Sequence, residues 1–133
     1  FIQQAPPRSA EAAGAAASTA ATRGWATENL TEGIDLAAMA AHAKMSVRTF
    51  TRRFRAETGE TAGSWLTRVR VDAARHLLES TDLPVDRIAY RVGFGTAASL
   101  RLRLAATVGL SPMSYRRRFR VEPSYPAPRE DVG

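Results

Sequence analysis

Slid along itself by 50 residues, the sequence sets Ser46 over Thr96, Phe50 over Leu100, Phe54 over Leu104, Gly59 over Gly109, Thr61 over Ser111, Trp65 over Tyr115 and Val69 over Phe119. Helix-capping residues meet capping residues, closing glycines meet glycines, and large apolar residues meet large apolar residues. Upstream the offset becomes 49, with Met39 over Ile88 and Ala40 over Ala89, because the segment "GFG" at 93–95 is one residue longer than "KM" at 44–45. A slip confined to a turn is what two copies of one supersecondary unit produce, so the chain must fold as that unit twice.

The unit itself is helical. Apolar residues recur at spacings of three and four and none alternate as in a strand. Asp35 is a favourable N-cap for a helix with Leu36, Met39, Ala40 and Ala43 on one face, and Ser46 caps a second with Val47, Phe50 and Phe54 inward until Gly59 stops it. The second copy repeats this with Val85, Ile88, Ala89 and Val92 before Gly93, then Thr96 capping a helix of Leu100, Leu104 and Val108 closed by Gly109. Thr61 opens a longer helix to about Glu79 with Trp65, Val69, Ala73 and Leu77 as its stripe. Ser111-Pro112 opens a last one with Tyr115 and Phe119 inward. A short helix carrying Trp25 and Leu30 precedes them all.

These spacings predict an all-α fold of about seven helices: two helix-turn-helix subdomains joined by a long linker helix. The first motif runs over about 35–59, the linker helix over 61–79, the second motif over 85–109 and the last helix over 111–120, within a domain of 23–120. Residues 1–22, with "EAAGAAASTAAT", read as an alanine-rich linker dispensable for binding. Residues 121–133, broken by prolines, read as an irregular tail.

Charge narrows the partner. The 133 residues carry 19 basic and 13 acidic side chains, net +6, and every basic residue except Lys44 is arginine. The forked guanidinium suits phosphate and guanine, so a polyanion leads, although a GC-rich genome would also enrich arginine. The absence of cysteine excludes disulfides and thiol chemistry and fits a reducing cytoplasm. No apolar run approaches a membrane span.

A helix-turn-helix sends its second helix into the major groove. With Phe50 and Phe54 inward, a helical wheel turns Arg48, Arg52 and Arg55 outward, flanked by Thr49 and Thr51. Arg48, Thr49, Thr51 and Arg52 are therefore the candidates for base edges, with arginine suited to guanine O6 and N7, and Arg55 is assigned to phosphate. Arg53 lies nearer the core side and snorkels. A merely solvated face is the bland alternative.

The second copy offers Ala98, Ser99, Arg101 and Leu102 at the corresponding place, with Ala105 beyond and Arg103 near the core edge. Alanine and leucine can touch a thymine methyl but cannot read donors and acceptors, so this helix is expected to discriminate little or to pack on a protein. The helix N-termini at Ser46 and Thr96, and Arg116 and Arg117 of "YRRRFR", are the further phosphate candidates. A linker helix of about 19 residues would be roughly 28 Å long, close to the roughly 34 Å between successive major-groove segments on one face.

From about Ile34 to Arg120 the chain resembles the DNA-binding domain of the arabinose-regulator (AraC/XylS) family. "LAAMAAHAKMSVRTFTRRFRAETG" resembles its first motif and "RIAYRVGFGTAASLRLRL", continued by "GLSPMSYRRRFR", its second. Leu102 departs from the more polar face usual there. The resemblance implies a transcription regulator working on double-stranded DNA at the nucleoid, with effector binding and dimerisation, if any, in a domain upstream of Phe1. The opening "FIQQ" is similar to the exit from an amidotransferase-like (DJ-1/PfpI-like) sensor domain.

Two other classes compete. An alkyl-transferring repair enzyme, sometimes joined to this domain type, needs a cysteine acceptor, and no Ser/His/Asp set or phosphate loop is visible, so no catalytic residue and no cofactor are expected. His42 and His76 lack partners at metal spacing and read as structural, so no metal is expected, and Trp25 and Trp65 read as core. A module docking on RNA polymerase or another regulator is the stronger rival and can coexist with DNA binding.

Overall fold

The computed structural model describes residues 18–120. The tail read as irregular and all but the last residues of the alanine-rich linker, "FIQQ" included, lie outside the described residues. Among those described are seven α-helices: α1 Ala20–Glu28, α2 Leu36–His42, α3 Val47–Thr58, α4 Ala62–Ser80, α5 Val85–Arg91, α6 Ala97–Val108 and α7 Pro112–Phe119, with a 3-10 helix Leu30–Glu32 after α1. No strand occurs among the described residues, and none of their helices is long and apolar enough to cross a membrane. Two compact units divide between Arg70 and Val71, inside α4.

The caps act as their side chains dictate. Asp35 accepts the Ala38 N–H at 2.8 Å, and Ser46, Thr61, Thr96 and Ser111 each accept the N–H three residues on, all at 3.1 Å. Gly59 and Gly109 end α3 and α6 at the same φ of 82°, a left-handed conformation that favours glycine.

The turns show where the two copies slip. Met45 N–H bonds Ala40 C=O, and Phe94 N–H bonds Ala89 C=O in the same register. The extra residue is Gly95, whose N–H also reaches Ala89 C=O at 3.2 Å. Lys44 holds φ 60° where the second copy has Gly93 at φ 92°. An L-residue in that region carries a local steric cost that glycine avoids, partly offset by glycine's freer unfolded chain. Lys44→Gly is therefore expected to raise the unfolding free energy by about 0.5–1 kcal/mol, which urea denaturation measures; a loss of stability would show that the lysine side chain contributes more than its backbone strain removes.

In the first unit Phe50 and Phe54 are fully buried, with ring centroids 5.6 Å apart, and Phe54 meets Trp65 edge-on at 5.6 Å. Ala26, Leu30, Ile34, Met39, Ala40, Ala62 and Leu66 complete the buried apolar set. In the second unit Leu100 and Leu104 take the places of the two phenylalanines, packed with Val71, Ala74, Leu78, Ile88, Ala89, Val92 and Tyr115. The Tyr115 hydroxyl donates to Glu79 and accepts from Arg75 Nε at 3.1 Å, so the polar tip of a buried ring is satisfied.

Several sequence expectations are corrected. The single stripe drawn along α4 fails, because Val69, Ala73 and Leu77 are only half-buried while Leu66, Val71, Ala74 and Leu78 are buried. Val71, Ala74 and Leu78 do not continue the line of Ala62, Trp65 and Leu66: each half of α4 serves its own unit's core, and one period cannot describe both. Leu36 and Val47, at first turns where a helix has few neighbours, are exposed, as is Phe119 in the last turn of α7. The boundary at residue 22 is also displaced. Thr19 and Thr22 are buried and α1 begins at Ala20, because threonine hydroxyls find partners in the first unit that composition does not reveal.

Candidate nucleic-acid interface

The α3 helix is fixed from both ends. Ser46 caps its start, and near its finish Glu57 Oε1 accepts from the Thr19 N–H at 2.7 Å, the Thr19 hydroxyl at 2.6 Å and Arg23 Nη2 at 3.2 Å. Burial pushes the Glu57 carboxyl up, but the Thr19 hydrogen bonds and the adjacent Arg23 outweigh it and hold the group below the ordinary carboxylate value. On α2, His42 Nδ1 lies 2.8 Å from the Thr22 hydroxyl and its ring stacks on Trp25 at 4.3 Å, so this histidine joins α1 to α2. Trp25 is half-buried rather than deep in the core.

With Phe50 and Phe54 locked inward, the opposite side of α3 is set. Arg48, Thr51, Arg52 and Arg55 are exposed and Thr49 is half-buried. Among the described residues none of the three outward arginines has an acidic partner, unlike Arg23, Arg68 and Arg75, which pair with Glu57, Glu60 and Asp72. Arg53 is half-buried. Ser46 and Thr96, both exposed, spend a lone pair on their caps and keep the O–H hydrogen as a donor.

The α6 face has another character. Ala98, Arg101, Leu102 and Ala105 are exposed and Ser99 is half-buried, with Leu102 at 65% the most exposed of the large apolar residues among those described. Arg103 is exposed too, not held at the core edge. On the wheel it lies as far from the Leu100–Leu104 direction as Arg101 does, which the sequence already showed.

Arg116 and Arg117 part company. Arg117 is exposed and donates to Ser114 Oγ at 3.2 Å, whereas Arg116 is half-buried, with Nε donating to the Leu78 carbonyl at 3.1 Å and Nη2 buried without a partner among the described residues. Arg118, which sequence reasoning passed over, is exposed and lies over the Phe119 ring at 5.8 Å. Its position in an arginine run without an acidic neighbour was the available signal.

A family model described as a helix-turn-helix domain matches residues 39–118, both motifs and the helix between them. The chain belongs to the AraC-type helix-turn-helix family. Among members of this family it is 47% identical over 81 residues to the HTH-type transcriptional regulator Rv1931c of Mycobacterium tuberculosis (61% of this chain, 31% of that protein). It is 41% identical over 71 residues to the HTH-type transcriptional activator RhaS of Salmonella schwarzengrund (53% and 26%). The chain thus spans about a third or less of these relatives. Of solved structures, the AdpA DNA-binding domain in complex with a target DNA superposes with a TM-score of 0.74 at 42% identity (76% of this chain, 91% of that one). The C-terminal domain of AraT, a response regulator from Geobacillus stearothermophilus, gives 0.77 at 25% identity (86% and 95%).

Proposed function

We propose that this chain is the sequence-specific, double-stranded-DNA-binding part of a transcription regulator, with α3 and α6 entering successive major-groove segments. The observation that carries the reading is the outward face of α3, three exposed arginines without acidic partners among the described residues, on a helix whose inward Phe50 and Phe54 are fully buried. The similarity to a domain solved on its target DNA supports it. In this reading Arg48, Thr49, Thr51 and Arg52 meet base edges, and Arg55, the helix starts at Ser46 and Thr96, and Arg117 meet phosphate. Ala98, Ser99, Arg101 and Leu102 face the second segment. Arg116 is left aside because its guanidinium is engaged with the end of α4. Effector binding and dimerisation, if any, would belong elsewhere in a longer parent, in keeping with the relatives' greater length.

Salt tests the reading. Binding through several phosphates weakens steeply as salt rises, because each contact releases condensed counterions. Arg117→Ala should weaken all duplexes about equally and lower the slope of log affinity against log salt by about one. Footprinting should show protection over about two turns on one face of the duplex; protection confined to one segment would remove α6 from the mechanism. The exposed Leu102 favours a second reading, docking on RNA polymerase or another regulator. Binding that persists unchanged at high salt would support that instead.

A further inference from the structure

Aligned on the repeat, the outward residues Arg48, Arg52 and Arg55 of α3 correspond to Ala98, Leu102 and Ala105 of α6. The capping hydroxyl, the closing glycine and a fully buried pair one turn apart are matched in the two helices. The α6 helix is thus presented as α3 is, with its charges replaced by an apolar centre. Leu102 is 65% exposed, and Arg101 and Arg103 stand on either side of it, about 100° around the helix in opposite directions. Both are exposed and neither has an acidic partner among the described residues.

An apolar ridge flanked by one positive charge on each side is a poor match for an apolar protein surface, which would leave both guanidiniums to be desolvated without compensation. It matches a major groove well. The groove, about 12 Å wide, admits a helix, its walls carry phosphates on both sides, and the thymine C5-methyl on its floor is the apolar group that tells one base from the others. We infer that α6 selects thymine: Leu102, with Ala98 and Ala105 beside it, packs on thymine methyls at the groove floor while Arg101 and Arg103 reach the phosphates on either wall. The inference rests on the duplex-binding reading above and gives it a second, chemically different half-site. Arginine selects guanine in one segment, and leucine selects a methyl in the next.

The test exchanges thymine for deoxyuridine, which removes only the methyl. On a duplex selected by the chain from a random pool, each thymine of the second segment is replaced singly and affinity is measured by fluorescence anisotropy. One or two replacements should weaken binding about fourfold each, the worth of burying one methyl-sized group, and replacements in the first segment should matter less. Leu102→Ala, at an exposed position where folding is not at stake, should lose a similar factor on the thymine duplex and become indifferent to the exchange. Site-selective binding that is insensitive to every methyl, or a methyl effect that survives in Leu102→Ala, would overturn the inference and leave the duplex reading intact. An absence of any selective duplex binding would overturn both.

Discussion

Arg52→Ala should weaken binding to the preferred duplex by roughly 1–3 kcal/mol, about five- to 150-fold, and leave binding to random duplex nearly unchanged. Arg52 sits in the second turn of α3, exposed, two residues from each of the buried rings of Phe50 and Phe54. Its backbone is therefore held while its guanidinium is free of any acidic partner among the described residues. A bidentate pair to guanine O6 and N7 is lost outright on truncation, because alanine cannot reach the groove floor. Affinities for selected and random duplexes, measured at one salt concentration, separate the outcomes. Equal losses on both would move Arg52 from base reading to phosphate contact.

Phe54→Ala should destabilise the first unit by about 3–5 kcal/mol, the usual cost of emptying a fully buried aromatic position. That is a large share of a small domain's total of about 5–15 kcal/mol, so duplex binding through α3 should fall with it. Phe54 is fully buried and touches both Phe50 and Trp65, so the cavity opens at the centre of the cluster that orients the arginine face. The chain's two tryptophans, Trp25 and Trp65, lie in the first unit, so their fluorescence during urea unfolding reports that unit. Leu104→Ala, the matching change in the second unit, should cost about 2–5 kcal/mol without the same direct loss of the tryptophan signal.

What the sequence disclosed about the fold followed from short-range chemistry. Caps at Asp35, Ser46, Thr61, Thr96 and Ser111, the closing glycines Gly59 and Gly109, and the one-residue slip at Gly95 depend on a few neighbouring residues, and all are where the spacing put them. The burial of Phe50, Phe54, Leu100 and Leu104 followed from a strong local period. Failures came where two parts of the chain compete for one element. The α4 helix serves two cores, so its period breaks at the boundary between Arg70 and Val71. Thr19 and Thr22 sit in an alanine-rich run whose composition says linker, yet their hydroxyls are taken up by Glu57 and His42, 38 and 20 residues away. The outward arginines of α3 were legible because two buried aromatics fix the wheel. Arg116 was not, because its fate depends on the carbonyl of Leu78, 38 residues away.

Selection from a random duplex pool, carried out in parallel with the parent chain and with Arg52→Ala, tests the central assignment most directly. The account predicts that the parent enriches one sequence with guanine in one segment and thymine in the next, about one helical turn apart, and that Arg52→Ala relaxes preference at one or two base pairs of the guanine segment while keeping the rest. Enrichment of the same sequence with undiminished guanine preference by Arg52→Ala, or no enrichment by the parent, would contradict it.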